Sequence, residues 1–415
     1  MRVAIMTAGS RGDVAPYTGL GHGLARAGHD VTLVTHERFA PLAAAAGIGF
    51  HALPVDPRAE LESTAGQGLH RSSTGAGKLA RMISMARALV GQLTDDLLAA
   101  ARASDVLLLS GSLGPLGHTI AEGLELPSMG VYLQPIAATG EFAPPVGGTR
   151  SLGRVGNRLA GRAVNAAVDH VFAATAPELR ARLGLPRTGA RAARHARERQ
   201  DWPVFHGFSE LVLQRPRDWR PGLRIAGYWW PHDPPQPQLP PRLRDFLADG
   251  PSPVFVGFGS STVPDTERAS ETVVRALRAA RLRGVVQSGW SGLHAEGEDM
   301  LTVDEIPHSA VFPAMAAVVH HAGAGTTAAA LRAGVPAVPV PIQFDQAFWS
   351  ARLAALGVSP GPVPLRRLST EVLTAALRQV TADPDYGQRA RALAARLHQE
   401  DGVGPVLAAV DRLGA

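Results

Sequence analysis

The sequence of 415 residues contains no cysteine, so disulfide bonds, thiolate nucleophiles and zinc sites built on cysteine are excluded. Long apolar runs are also missing, since none approaches the roughly 20 residues that a helix needs to cross a bilayer. The apolar stretch at the N-terminus is too short for a signal peptide and has the pattern of a buried strand. We therefore expect a soluble protein without stable membrane insertion, and the reducing cytoplasm as its compartment.

Lysine is almost absent as well: Lys78 is the only one, and the net charge is only +5. The arginines are spread along the chain apart from one run, RTGARAARHARER at residues 187–199. Such a run is either a solvated helix or loop, or a patch that attracts phosphate groups. No aromatic residues are interleaved with it and no nucleic-acid-binding module is recognisable, so we expect no nucleic acid partner.

The length predicts two domains, because single hydrophobic cores stop growing near roughly 250–300 residues. In the first half, short β-branched runs alternate with helical patterns, which is typical of βαβ units and a parallel sheet. The predicted strands of this half are Val3–Thr7, Asp30–Thr35, Asp105–Ser110, Ser128–Leu133 and Leu211–Gln214, and the predicted helices are Pro16–Arg26 and Lys78–Ala103. The predicted fold class is α/β.

A proline-rich segment, Pro231–Pro241, predicts a stiff connector, and the alternation restarts after it. The predicted strands of the second half are Val254–Phe258, Gly284–Gln287, Ala317–His320 and Ala337–Pro341, and its helices are Glu267–Ala280, one from Gly325, Pro384–His398 and Val403–Leu413. We predict a Rossmann-like domain at 1–220, a linker at 221–241, a second Rossmann-like domain at 242–395, and a final helical segment, 396–415, that could pack back on the first domain. In such sheets, ligands bind at the carboxyl ends of the strands, in the cleft between the domains.

The loop after the first predicted strand reads AGSRGDVAP at residues 8–16. Its glycines are spaced Gly9-x-x-Gly12, which does not match the G-x-G-x-x-G fingerprint of dinucleotide binding, so a nicotinamide site is disfavoured. Asp13, just before a helix predicted to begin near Pro16, is either an N-cap or a catalytic carboxylate. The loop alone does not decide between the two.

A second loop follows the strand Ala317–His320, where a glycine-rich turn leads into a helix. The free N–H groups and positive dipole at the start of such a helix form an anion site. Gly323 and Gly325 would let the backbone approach a phosphate, Thr326 offers a hydroxyl, and His321 could donate to a diphosphate oxygen. Asp345 and Gln346 follow the next strand, where a carboxylate and an amide would suit the hydroxyls of a sugar. Asp345 could also cap the helix that begins there.

Together these motifs resemble those of the inverting family-one glycosyltransferases of the GT-B fold, in which two Rossmann-like domains face a cleft. The closest likeness is to sterol-glucosyltransferase-like enzymes and to the glycosyltransferases of antibiotic biosynthesis of the glycopeptide and macrolide type, particularly the glycopeptide type. The resemblance spans essentially the whole chain. The motifs that carry it are GSRGDVAP at 9–16, WRPGLRIAGYWW at 219–230, VGFGS at 256–260, HHAGAGTT at 320–327 and FDQ at 344–346.

The resemblance implies a role for each matching position. It makes Asp13 the base that deprotonates the acceptor, with Ser10 and Arg11 facing the donor diphosphate. It places Ser260 at a donor phosphate and Trp290 in the wall of the nucleotide pocket. The implied diphosphate cradle is His321, Gly323, Gly325 and Thr326, and the pair that grips the sugar is Asp345 and Gln346. Two positions depart from the pattern: Ala322 replaces a glycine, and residues 305–308 (EIPH) stand where many relatives carry an aromatic that stacks on the base.

The expected substrates are a UDP- or dTDP-sugar and a hydrophobic natural-product acceptor with a hydroxyl group. Loops of the first domain would hold the acceptor through His118, Gln134 and Phe142. We expect no metal and no cofactor, because the single D-x-D sequence, Asp383 to Asp385, lies between predicted helices and has the features of a turn and cap. The alternatives are a sterol or lipid glucosyltransferase, a sugar-nucleotide epimerase, a non-catalytic sugar-nucleotide binder and a nicotinamide oxidoreductase.

Overall fold

The structure is a computed structural model that describes residues 1–54, 92–233 and 239–414. The chain forms two parallel sheets, one in each half. The first sheet contains β1 (Arg2–Met6), β2 (Asp30–His36), β3 (Gly49–Leu53), β4 (Val106–Leu109), β5 (Ser128–Tyr132), β6 (Val204–His206) and β7 (Leu223–Ile225). The second contains β8 (Val254–Gly257), β9 (Gly284–Gln287), β10 (Met300–Val303), β11 (Ala317–His320) and β12 (Ala337–Pro339).

Helices connect these strands throughout. Those of the first half are α1 (Arg11–Arg26), α2 (Ala40–Ala45), α3 (residues 92–102), α4 (Gly114–Gly123), α5 (Gly153–Val171), α6 (Thr175–Arg182) and α7 (Ala190–Arg199). Those that follow are α8 (Pro241–Ala248), α9 (Thr266–Ala280), α10 (His308–Val311), α11 (Ala324–Ala333), α12 (Gln346–Ala355), α13 (Thr370–Ala382), α14 (Pro384–Leu397) and α15 (Gly404–Gly414). In the described part of the chain, no helix is both long and apolar enough to cross a membrane.

Both sheets are doubly wound, as predicted. The strand orders are β3-β2-β1-β4-β5-β6-β7 and β10-β9-β8-β11-β12, and the paired strands are parallel. In each sheet the winding reverses beside the first strand, between β1 and β4 and between β8 and β11. Ligands bind at such switch points, because the loops on either side leave a crevice at the carboxyl edge of the sheet.

The last helix of the chain returns to the first sheet. Val406, Ala409 and Val410 of α15 belong to the same buried cluster as Val3 and Ile5 of β1. In the segment just before this helix, the carbonyl of Gly402 accepts a 2.8 Å hydrogen bond from the indole N–H of Trp229. The C-terminal segment therefore buries apolar surface against the half that begins the chain.

One predicted strand, Leu211–Gln214, is wrong. Val212 and Leu213 are buried, but their N–H groups both donate to the carbonyl of Ser209, which closes a turn. The sheet is continued instead by β6 and β7, which are only three residues long. Because β7 pairs with β6, the first sheet extends to Ile225, inside the segment predicted as a linker.

The predicted start of the first helix is also wrong, since α1 begins at Arg11 rather than near Pro16. Pro16 lies inside the helix, where it lacks the N–H that would donate to Gly12. The predicted helix Lys78–Ala103 is helical from residue 92 to 102, and its part before residue 92 lies outside the described residues. Residues 234–238 of the predicted connector also lie outside them.

Candidate active site

The carboxyl edges of the two sheets face a shared cleft of about 1550 Å³. Its walls include the loops after β1, β5, β8 and β11 and the segment before α12. It is lined by most of the predicted site residues: Ser10, Arg11, Asp13, Gln134, Ser260, His321, Gly323, Gly325, Thr326, Asp345 and Gln346. The fold thus collects side chains that lie more than 300 positions apart in sequence.

The loop after β1 holds the Asp13 carboxylate close to its own backbone. Ser10 is the N-cap residue of α1 and Asp13 is its third helical residue, so Asp13 is not the N-cap. The Oδ2 atom of Asp13 accepts two 2.9 Å hydrogen bonds, from the backbone N–H and from the hydroxyl of Ser10. The first is the carboxylate-to-N-cap half of a capping box, which stabilises the start of a helix.

Gly9 provides the space that this carboxylate occupies. Its φ of +146° is unfavourable for residues with a side chain, and a Cβ atom there would lie 2.6 Å from Oδ2 of Asp13. The N–H of Gly9 donates to Nε2 of His36, at the end of β2, over 3.0 Å. The loop is therefore fixed both by the neighbouring strand and by the carboxylate itself.

The environment of Asp13 favours proton binding. Burial raises the pKa of this carboxyl above its ordinary value of 3.8, although hydrogen bonds from Ser10 and Gln134 act in the opposite direction. A carboxylate with a raised pKa is a stronger base than one in water. The helix cap and a catalytic role are compatible, because both cap bonds use Oδ2 and the Asp13 side chain also lines the cleft.

The loop after β11 brings a helix N-terminus to the opposite wall. Gly323 is the N-cap of α11, and the first N–H to bond back within this turn is that of Thr327, to the carbonyl of Gly323. The N–H groups of the three residues before Thr327 have no intrahelical partner, as at the start of any helix. They and the helix dipole form an anion-binding surface. The N-cap of this helix is thus a glycine, without a side-chain hydrogen bond to the first turn.

The imidazole of His321 is packed between two glycines at this helix start. A Cβ on Gly259 would lie 2.8 Å from its Cε1 atom, and a Cβ on Gly323 would lie 2.5 Å from its Nε2 atom. Burial lowers the pKa of His321 to about 4, so the ring is neutral at pH 7 and carries one N–H donor. Its Nδ1 atom is buried without a hydrogen-bond partner in the described structure.

Ala322, which replaces a glycine of the family pattern, adopts a φ of +63°. This left-handed conformation is the physical reason that glycine suits the position. The alanine is fully buried, and its N–H donates to Nδ1 of His320 over 3.1 Å. The turn therefore keeps its shape with alanine present.

Asp345 and Gln346 open onto the cleft from the start of α12, but their side chains are engaged differently. Oδ2 of Asp345 accepts a 2.8 Å hydrogen bond from the indole N–H of Trp349 and makes no cap to the helix. Burial raises the pKa of Asp345 to about 6, and the negative charge of Asp13 adds to this effect. The oxygen of Gln346 accepts from the N–H groups of Ile342 and Gln343, at 2.7 and 2.9 Å. The amide of Gln346 therefore holds the loop.

Comparison with known proteins identifies the family. Two family models match: "Glycosyltransferase family 28 N-terminal domain" over residues 3–114, and "Erythromycin biosynthesis protein CIII-like, C-terminal domain" over residues 288–408. An O-mycaminosyltylonolide 6-deoxyallosyltransferase from Streptomyces fradiae is 36% identical over 97% of this chain and 95% of its own length. The chain is a member of this glycosyltransferase family.

More distant relatives agree with this assignment. The sterol 3-beta-glucosyltransferase UGT80B1 of Arabidopsis thaliana is 29% identical over 99% of this chain and 68% of its own length. Among solved structures, the glycosyltransferase of kitacinnamycin has a TM-score of 0.72 at 19% identity, covering 99% of this chain and 98% of its own. The calicheamicin glycosyltransferase CalG4 has a TM-score of 0.71 at 17% identity, with the same coverage. The predicted GT-B fold is confirmed, and the protein is a glycosyltransferase that uses a nucleotide sugar.

Three residues predicted for the glycosyltransferase site lie outside the main cleft. Trp290 lines a separate cavity of about 220 Å³, where the guanidinium of Arg38 lies 5.0 Å from its ring. His118 packs edge-on against Trp202 in the first half, and burial lowers its pKa to about 4. Phe142 packs against Phe348, with 5.3 Å between the ring centroids. The structure thus gives His118 and Phe142 packing roles, and neither lines the cleft.

Some residues of the cleft were missed from the sequence. His36 and Gln287 each end a strand, so the rule that pointed to Asp13 would also have found them. Arg332, on α11, also lines the cleft, and its guanidinium lies 4.5 Å from the Trp230 ring. That contact joins the two halves of the chain and has no local sequence signal.

Contacts between the halves also involve Arg11, which was expected to face the diphosphate. Its Nη1 atom lies 3.4 Å from Oε2 of Glu305, so the two residues form an ion pair across the cleft. Both side chains are substantially exposed, so the pair contributes little to stability.

Near the other end of the chain, Asp383 of the D-x-D sequence caps α14, accepting from the N–H of Asp385 over 3.0 Å. Within the described residues, no group of three His, Asp or Glu side chains is placed to hold a metal ion.

Proposed function

We propose that this enzyme transfers a sugar from a UDP- or dTDP-sugar to a hydroxyl of a hydrophobic natural product, with inversion at the anomeric carbon, in cytoplasmic antibiotic biosynthesis. The observation that carries the proposal is the shared cleft: a carboxylate with a raised pKa lies on one wall and an anion-binding helix start on the other. Each wall suits one substrate. The domain boundaries predicted from the sequence divide the roles in the same way, with the acceptor on the first half and the donor on the second.

In the proposed reaction, Asp13 removes the proton from the acceptor hydroxyl. The oxygen attacks the anomeric carbon, while the bond from that carbon to the diphosphate breaks on the opposite face. The diphosphate leaves with the bonding electron pair, and the proton remains on Asp13. General base assistance of this kind contributes roughly 10²- to 10⁴-fold in rate.

The donor half would stabilise the charge that develops on the departing diphosphate. The free N–H groups at the start of α11 and a neutral His321 are donors fixed before the reaction begins, and such donors stabilise a transition state without reorganisation. Asp345, which lines the cleft at the start of α12, would accept hydrogen bonds from the sugar hydroxyls. No metal and no cofactor take part in this scheme.

The acceptor wall is largely apolar. Leu133, Ile136 and Val146 line it beside Gln134, whose amide also influences Asp13. An apolar polycyclic or macrocyclic molecule would suit this lining, and the transferase from Streptomyces fradiae acts, by its name, on O-mycaminosyltylonolide. The second candidate is a sterol glucosyltransferase, which the Arabidopsis relative favours.

The proposal is tested with a substrate panel and one variant. Thermal shifts with UDP- and dTDP-sugars identify the donor, since a ligand stabilises the protein by RT ln(1 + [L]/Kd). Mass spectrometry then follows transfer to a macrolide aglycone and to a sterol. Asp13→Asn should lower kcat by about 10²- to 10⁴-fold with donor Kd unchanged.

Retained turnover in Asp13→Asn would contradict the role of Asp13. An epimerase would instead convert the sugar nucleotide without any acceptor, and a non-catalytic binder would give neither transfer nor hydrolysis. Transfer to the sterol alone would replace the natural-product acceptor with the second candidate.

A further inference from the structure

The positive charge of the chain is concentrated in one stretch. Residues 146–199 contain eleven arginines and three carboxylates, a net charge of +8, so the rest of the chain carries −3. This stretch includes the arginine run 187–199, whose helical part is α7. Neither wall of the cleft accounts for this charge, because Val146 and Val164 are the only residues of the stretch that line it among those described.

The same stretch exposes apolar side chains to solvent. Nine large apolar residues are exposed in the described structure, and five of them lie between residues 146 and 168: Val146, Leu152, Val155, Leu159 and Val168. Val155 is 74% exposed, and Leu152 and Leu159 are 60% and 58% exposed. Apolar side chains scattered singly over a surface need no explanation, but this group lies along a single helix, α5, and the turn before it.

Charge and apolar surface share one face. Residues 152, 155 and 159 follow the i, i+3, i+7 spacing of one helix face, and Arg162, three residues after Leu159, continues that face beside the exposed leucines and valine. Helix α7 is held against α5 by hydrogen bonds of 3.0 and 3.1 Å from the Arg194 guanidinium to the Asp169 carboxylate. We use the name α5–α7 face for the exposed side chains of Leu152, Val155, Leu159 and Arg162, together with the exposed Arg154 of α5 and Arg191 of α7.

We propose that the α5–α7 face binds the surface of an anionic lipid bilayer. An interfacial helix inserts its apolar side chains among the acyl chains while its arginines pair with lipid phosphates, and both groups are present here. A nucleic acid would use the arginines but leave Val155 and Leu159 without a partner. The helix lies on the bilayer and does not span it, since α5 carries three arginines.

The position of the α5–α7 face would give membrane binding a role in the supply of the acceptor. Val146, in the turn before α5, and Val164, on the side of α5 opposite Val155, both line the cleft, so one helix borders the cleft and carries the exposed face. A bilayer bound to α5 would therefore hold the cleft beside the membrane in which a hydrophobic acceptor dissolves. The lipid contact itself does not depend on which acceptor is used.

The test is sedimentation of the full-length protein with sucrose-loaded vesicles, either phosphatidylcholine alone or an equal mixture with phosphatidylglycerol. We expect binding to the mixed vesicles, at least roughly 10-fold weaker binding to the neutral ones, and release at high salt. The double variant Val155→Ser, Leu159→Ser should weaken binding by about 10-fold. Its matched control is Val372→Ser, Leu413→Ser, which changes two exposed apolar residues elsewhere and should bind like the parent.

The charge is tested in the same way. Arg154→Gln, Arg162→Gln should also weaken binding by about 10-fold, whereas Arg366→Gln, Arg367→Gln in the second half should not. Equal binding to both vesicle types, equal losses in a control variant, or no sedimentation at all would overturn the proposal. A short DNA duplex provides a further test. If the parent and the serine variant bind the duplex equally well, and the variant also binds vesicles like the parent, the proposal is overturned, because the face then binds polyanions in general. Unchanged thermal shifts with the donor show that each variant is folded.

Discussion

The two loops that face each other across the cleft position their polar groups by different means. After β1, the functional group is the side chain of Asp13. Its carboxylate accepts hydrogen bonds from Ser10 and occupies the space that is free because Gly9 has no Cβ. After β11, the backbone itself is the binding group, because the start of α11 presents its N–H groups. The first loop offers one proton acceptor and the second offers several donors.

This difference suggests how the work of the enzyme is divided. A change in the first loop should alter the chemical step, because it moves the base, whereas a change in the second should alter donor affinity, because it moves the anion site. Each loop contains a glycine whose Cβ would clash with a functional side chain and a second position where a substitution introduces no such clash, so each loop has its own matched control. The comparison can therefore be tested without removing any functional side chain.

The largest effect is expected at the first loop, from Gly9→Ala. A Cβ at this position would meet the Asp13 carboxylate at 2.6 to 2.9 Å, so the carboxylate must move. We expect kcat to fall by about 10²-fold, as for a misplaced catalytic group, with donor affinity kept. The control is Gly12→Ala, where the nearest atom is 3.8 Å away and kcat should change little. Equal losses in both variants, measured as initial rates, would show that Asp13 is not held by Gly9.

A smaller and different effect is expected at the second loop, from Gly323→Ala. Its Cβ would lie 2.5 Å from Nε2 of His321, so the imidazole is displaced from the start of α11. We expect donor Kd to rise by about 10-fold, the loss of one hydrogen bond to a charged group, with kcat less affected. Ala322→Gly is the control, because it changes the same turn, at a φ of +63°, without adding an atom near His321. Calorimetry with the nucleoside diphosphate measures both, and a fall in kcat at constant Kd would remove the distinction between the loops.

The same two loops show what the sequence could predict. Asp13 and His321 were predicted to face the cleft because each follows a buried strand, at the carboxyl edge of its own parallel sheet, and both line the cleft in the structure. The cap of α1 was misplaced because Pro16 was taken for a helix start, although a proline can lie inside a helix when the packing around it compensates. Leu211–Gln214 has the residues of a strand, but its N–H groups close a turn, and this depends on tertiary contacts.

Contacts between the halves were beyond the reach of local patterns. Trp290 was placed in the nucleotide pocket by resemblance alone, while in the structure its ring meets Arg38 of the other half. The engagement of the Gln346 amide with its own loop likewise depends on backbone geometry that no motif encodes. Residue identity at a motif therefore predicts the neighbourhood of a side chain better than its partners.

Stability against pH gives a third test of the cleft, through Asp345. Its pKa of about 6 in the folded protein lies above the ordinary value of 3.8, so the folded state binds this proton more tightly than the unfolded chain. The free energy of unfolding contributed by this group therefore falls as pH rises from about 4 to 6, and stays low above that. Asp345→Asn should be more stable than the parent by on the order of 1 kcal/mol above pH 6, and by less near pH 4.

Urea unfolding at several pH values measures this difference. The control is Asp245→Asn, which changes an exposed carboxylate on α8. A constant difference for Asp345→Asn would mean that the carboxyl is not buried at the wall of the cleft in solution. Weaker donor binding below about pH 6 would support the ionised form as the one that contacts the sugar.

The smallest expected effect concerns Phe344, beside Asp345, which adopts a φ of +53° and is 47% exposed in the cleft wall. The left-handed conformation costs a residue with a Cβ roughly 1 kcal/mol. Phe344→Ala keeps this strain and loses the ring, while Phe344→Gly loses both, so the glycine variant should be more stable than the alanine variant by about 1 kcal/mol or less. Both should raise the KM for donor or acceptor by the same few-fold factor if the ring contacts substrate. Equal stability would mean that the loop relaxes in solution, and unchanged KM values would remove Phe344 from the substrate wall while leaving the two loops as they are.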